Sequence, residues 1–142
     1  MARLFPKINP ADIENPGEQL VARALVEQLP SRVEVFHSFN WLVEGHRGVL
    51  QEGECDFVLL DPEHGVLFVE VKGGSLSFDP TAMVWRRALP NGGTREVPKD
   101  PFAQVQRSMH EIVNRISETG FRGSPPPITF GFAVAFPDCN YK

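Results

Sequence analysis

This chain predicts an α/β protein of the mixed α+β kind, one domain with helices packed on a central mixed β-sheet. Three observations carry that expectation. Asn15-Pro16 and Asp100-Pro101 each place a capping side chain before a proline, the signature of a helix start. Two apolar runs, residues 54–60 and 66–72, flank the turn Asp61-Pro-Glu-His-Gly65, as in a β-hairpin. The elements then follow in the order helix, three strands, a further hairpin, helix, strand.

The first helix is expected over about 16–29, where Leu20, Val21, Ala22, Ala24 and Leu25 form an apolar stripe that stops before Pro30. Glu18 lies in its first turn, a position the helix dipole favours for a carboxylate. Val33 to Phe39 is rich in β-branched and aromatic residues and reads as a strand, leading into a loop over Asn40–Gly53 with three glycines. Strands over 54–60 and 66–72 make the hairpin, and Ser75–Phe78 with Val84–Ala88 form a second pair before Pro90-Asn-Gly-Gly. A helix over about 101–118 follows, with Phe102, Val105, Met109, Ile112, Val113 and Ile116 at helical spacing. Ser124-Pro-Pro-Pro127 then feeds a last strand, Ile128–Phe136.

With 142 residues, the chain suits one domain over 1–142 that buries about two-thirds of its unfolded surface. The core is expected over about 16–137, and the ending at Lys142 is compatible with the N-terminal part of a longer protein. No apolar run reaches membrane-spanning length and the N-terminus lacks a signal-peptide pattern, so a cytoplasmic location and no membrane partner are expected. Cys55 and Cys139 have no metal-type spacing, which argues against a disulfide framework or a zinc site. Residues 1–72 hold six Lys/Arg against twelve Asp/Glu, and residues 73–142 hold eight against six, so any basic surface belongs to the second half.

Three charges interrupt the hairpin: Asp56 in its first strand, Glu70 and Lys72 in its second. A turn centred on Glu63 sets Leu60 opposite Val66, Val58 opposite Phe68, Asp56 opposite Glu70 and Glu54 opposite Lys72. Directly opposed like charges destabilise a sheet, so the Asp56–Glu70 pair calls for a cation between them. Lys72 is one candidate and a hard divalent ion, held by carboxylates, water and substrate phosphate, is another. A strand end open to solvent, with an ordinary hydrated face, also accounts for the letters.

The ordered set resembles the PD-(D/E)xK nuclease superfamily and, more narrowly, its NERD (nuclease-related) domain. The matching residues are Gly17-Glu18, the strand Glu54-Cys-Asp56-Phe-Val-Leu-Leu60, Gly65, Val66-Leu-Phe-Val-Glu70-Val-Lys72-Gly73, Pro101 with Gln104, and Ala133-Val-Ala-Phe-Pro137. Gly73-Gly74 depart from it, because the family commonly has a polar residue after its lysine.

The resemblance implies a restriction-endonuclease-like αβββαβ core and a metal-dependent nuclease acting on nucleic acid, foremost DNA. It assigns Asp56, Glu70 and the Val71 backbone carbonyl to Mg2+ or Mn2+, Lys72 to the attacking water or the phosphate, Glu18 to the metal through water, and Gln104 to positioning. It further implies work in DNA processing or repair beside a fused or associated ATP-dependent helicase, with pairing into a homodimer left open. The alternative is an accessory module that binds nucleic acid without cutting it. Arg86, Arg87, Lys99 and Arg107 are the candidate phosphate contacts, and Trp41 and Trp85 are read as packing aromatics ahead of base-stacking platforms.

Overall fold

A computed structural model describes residues 1–44, 48, 50–124 and 126–140, with the backbone alone for 41–44 and 50–52. The side chain of Trp41 and all of His46 therefore lie outside the described residues. The five-stranded sheet runs β1 (Arg3–Phe5), β2 (Glu34–Glu44), β3 (Leu50–Asp61), β4 (Gly65–Val71) and β8 (Phe130–Ala135), in that spatial order. Its two outer pairings are parallel and its two inner ones antiparallel, so the sheet is mixed as expected. A second, antiparallel sheet of β5 (Leu76–Asp79), β6 (Val84–Ala88) and β7 (Thr94–Glu96) stands beside it.

Both helices begin where their capping residues place them. The Asn15 side chain accepts from Glu18 N at 3.1 Å at the start of α1 (Pro16–Gln28), and the Asp100 side chain accepts from Phe102 N at 2.8 Å at the start of α2 (Pro101–Gly120). The helices cover opposite faces of the sheet. Ala22, Val21 and Leu25 of α1 pack with Val35, Phe57, Leu59, Val69 and Val71, whereas Val105 and Ile112 of α2 pack with Val58, Phe68 and Cys55. Phe57 and Phe68, one from each side, are fully buried. Burial of each ring contributes about 1.5–3 kcal/mol.

The hairpin keeps the register that a turn at Glu63 dictates, with Leu60 opposite Val66 and Val58 opposite Phe68. Pairing ends at Phe57–Val69, however, so Asp56 and Glu70 are not a ladder pair, and Glu54 lies opposite Asn40 of β2 instead of Lys72. The expected loop over Asn40–Gly53 is also corrected for 40–44 and 50–53, where β2 and β3 go on pairing out to Glu44–Leu50, while 45–47 and 49 lie outside the described residues. Backbone ladders need no alternating side chains, and the glycines there disguise a ribbon. Strands β1 and β7 have no counterpart among the expected elements; each has only three residues, too few for a visible alternation.

Gly65 has φ +108°, and a Cβ there would be driven into the Thr129 carbonyl, which accepts from Val66 N at 2.9 Å and starts the β4–β8 pairing. Gly92 has a similar φ of +85° with open space around it. Gly65→Ala should therefore cost at least about 2–3 kcal/mol, roughly 10 °C in Tm for a domain this size, and clearly more than Gly92→Ala. Thermal unfolding followed by circular dichroism checks this; equal losses in the two variants would mean that the approach of Thr129 does not matter.

Candidate active site

The sequence-predicted residues gather where β3 and β4 part. Asp56 lies one residue beyond the last rung of that ladder, and its Oδ2 accepts from Val71 N at 2.7 Å. The carboxylate thus takes an amide at the frayed end of β4. On the other side of β3, the rung between Ser38 and Asp56 is missing, and Ser38 has φ 54°. A serine in that region is strained. The adjacent Glu54 is occupied by Ser38, whose hydroxyl donates to it at 2.8 Å.

Glu70 is the buried member, 3% exposed, with Oε1 3.3 Å from Lys72 Nζ and Oε2 buried without a hydrogen-bond partner. A buried carboxylate oxygen left bare costs several kcal/mol unless its charge is removed or matched. Burial, followed by the nearby Asp56 charge, pushes the Glu70 carboxyl up to about 7. Asp56 is raised to about 6, again chiefly by burial, with the Val71 amide opposing and Glu18 adding to the rise. Both acids therefore behave as a crowded anionic pair that lacks a full counter-charge.

Lys72 Nζ also donates to Gln104 Oε1 at 3.2 Å, which ties the first turn of α2 to the end of β4. Glu18 arrives from α1 because Gly17 is buried against the backbone just past Lys72. A Cβ at Gly17 would meet Gly73 Cα at 3.5 Å and Pro137 Cγ at 3.4 Å. His37 Nε2 donates to Glu18 Oε2 at 2.6 Å and holds it. That role of His37 is not visible in the sequence, since the two residues are nineteen positions apart and on different elements.

The residues fit a divalent cation. The bare Glu70 Oε2, the neighbouring Asp56 carboxylate and the crowding that raises both acids make an oxygen donor set suited to a hard divalent cation. Glu18, Asp56 and Glu70 do not all bring ligand atoms within 4.8 Å of one another: among the described residues, the one group of three or more metal-type side chains that does so is Asp61, Glu63 and His64. That group lies on the hairpin turn at the far end of β3 and β4. Asp61 there accepts from Arg32 at 3.0 Å, from Glu63 N at 2.9 Å and from His64 at 2.9 Å, which together hold its carboxyl well below the ordinary range. Its charge is already matched.

Of the expected phosphate contacts, Arg87 and Lys99 line a cavity of about 270 Å3 with Lys72, Gln104 and two residues not singled out in the sequence, Arg95 and Glu96. Lys99 and Gln104 also border a second cavity of about 480 Å3 together with Arg107, Glu54 and Asp100. Arg86 is placed differently. It pairs with Asp79 at 3.3 Å, and alternation along β6 sends it to the face opposite Arg87. Trp85 stacks on Phe136 at 5.3 Å and packs with Phe78 and Phe102, so it is a packing aromatic as expected. Among the described residues no helix is long and apolar enough to cross a membrane.

A family model described as nuclease-related domain, NERD, matches residues 13–137. No curated protein and no solved structure gave a match to the chain.

The ordinary values of these acids are 3.8 for Asp56 and 4.5 for Glu70, so between those values and neutrality the folded metal-free protein holds more protons than the unfolded chain. Its stability should fall as pH rises through that window. Glu70→Gln should flatten the slope and raise Tm near pH 8 in the presence of a chelator, while Mn2+ should raise Tm of the wild type at that pH and not of Glu70→Gln. Differential scanning fluorimetry across pH, with and without Mn2+, reads both; a wild-type Tm that climbs from pH 5 to 8 without metal would contradict the placement of the two acids.

Proposed function

Because this chain belongs to the nuclease-related domain (NERD) family, we propose that it hydrolyses phosphodiester bonds of nucleic acid, DNA in the first place, at the centre formed by Asp56, Glu70 and Lys72. The single observation that carries the reading is the buried, bare Oε2 of Glu70 beside a second raised carboxylate, the kind of charge arrangement that clusters at functional sites. Asp56, Glu70 and the Val71 carbonyl would hold Mg2+ or Mn2+. When bound, that ion supplies Lewis-acid activation of the phosphodiester and a lowered pKa for coordinated water.

The other roles belong to the chain itself. Val71 N–H fixes the Asp56 carboxylate in one orientation, leaving its second oxygen to face the site. Lys72 stands between Glu70 and Gln104 and contacts both, where its ammonium meets negative charge that develops on the phosphate. Glu18, pinned by His37, orders water at the edge of the pocket. A fused or associated helicase would deliver strand to this site, with both working in the cytoplasm.

A second reading, a module that binds nucleic acid without cutting, draws support from Asp56 Oδ2 and Glu18 Oε2 both being engaged inside the protein. Incubating supercoiled plasmid and single-stranded DNA with the purified chain and Mg2+ or Mn2+ separates the two. Cleavage is expected, with Lys72→Ala and Asp56→Ala each slower by about 100-fold or more. Binding with no cleavage under either metal would favour the second reading, and variants as active as the wild type would remove this site from the chemistry.

A further inference from the structure

Arg87 and Arg95 are directly opposed partners in the β6–β7 ladder. Two guanidinium groups placed side by side on one sheet face repel, and an anion bound between them would relieve that repulsion through bidentate, charge-assisted hydrogen bonds. On the same face, Leu76 is buried and Trp85 packs against Phe102 of α2 and Phe136, which turns Arg87 and Arg95 toward the first turn of α2 and the active site. The cavity they line also takes in Lys72, Lys99 and Gln104 and has one acid, Glu96, against its four cations. None of Arg87, Arg95 and Lys99 forms an ion pair among the described residues.

Lys72 and Gln104 belong both to this cavity and to the carboxylate centre, so the two spaces are continuous. The second cavity, across Gln104, is balanced: Glu54 and Asp100 face Lys99 and Arg107 there. Positive charge is thus concentrated on one side of the centre only.

We infer that the Arg87–Arg95 cavity is a subsite for a phosphate of the bound nucleic-acid strand next to the one that is cut, so that the strand is gripped on the β6–β7 side of the scissile bond. The inference rests on the proposed function and adds to it the residues that hold the substrate and the side from which they do so. Arg87 is the inner contact, lying over Gly74 where a Cβ would meet its Cδ and Nε at 3.7 Å. Arg95, exposed on β7, is the outer one.

Binding of short fluorescein-labelled oligonucleotides, single-stranded and duplex DNA, is measured by anisotropy with Ca2+ replacing Mg2+, over about 50 to 200 mM salt. Arg87→Gln and Arg95→Gln should each weaken binding and lower the slope of log K against log salt by about 0.7 for a single strand or 0.9 for a duplex. Arg95→Lys should keep the slope, and Arg86→Gln, on the opposite face, should leave both readings unchanged. The Tm of Arg95→Gln should not fall, because a repulsive pair is relieved. Wild-type binding that survives Arg87→Gln and Arg95→Gln with an unaltered slope would overturn the subsite and leave the nuclease reading standing, whereas no binding by the wild type would overturn both.

Discussion

The hydrogen bond from Val71 N–H to the Asp56 carboxylate is the constraint on which the rest depends. A β-hairpin left to itself would go on pairing beyond Phe57–Val69, and Asp56 and Glu70 would then confront each other across a closed ladder. Instead the Asp56 side chain takes an amide at the end of β4, the two strands part, and the gap admits Lys72, the first turn of α2 and the start of α1. The cost is a buried pair of acids whose pKa values both rise. Strain at Ser38, on the strand alongside, lies opposite the same residue.

The hairpin register is legible in the sequence because alternation and a short proline-containing turn both point to Glu63, and two independent signals rarely agree by accident. The same reasoning overreaches at Asp56. Side-chain parity says which residues share a face, but it does not say where a ladder stops, and here a side chain replaces the next rung. The helix starts are legible because capping is local chemistry within four residues. His37 and Arg95 are not: His37 meets Glu18 from an element nineteen positions away, Arg95 lies on a three-residue strand too short to show alternation, and neither sits in a local pattern that marks it. The Arg86-Arg87 dipeptide shows the middle case, since both look alike as letters and only the orientation of β6 separates them.

The uneven charge along the chain also has a spatial meaning. The acidic first half supplies Glu18, Asp56 and Glu70 from α1, β3 and β4, and the more basic second half supplies Arg87, Arg95 and Lys99 from the small sheet and the approach to α2. Lys72 stands at the boundary of the two halves in sequence and at the boundary of the two spaces in the fold. On the proposed function, this division separates the part that handles a cation from the part that handles a polyanion, which would otherwise neutralise each other. A net charge of −4 for the whole chain conceals it.

Gly73-Gly74, where a polar residue after the lysine is the commoner pattern, follows from that division. Gly17 packs on the Gly73 backbone, where a Cβ at Gly17 would stand 3.5 Å from Gly73 Cα, and this contact brings α1, and with it Glu18, against the end of β4. Gly74, at φ +88°, turns the chain away toward β5 with its N–H donating to Asp138 at 2.7 Å, and leaves room for Arg87 to lie across it. The polar group that the local sequence lacks is thus brought in from β6, with a longer reach and a fixed positive charge.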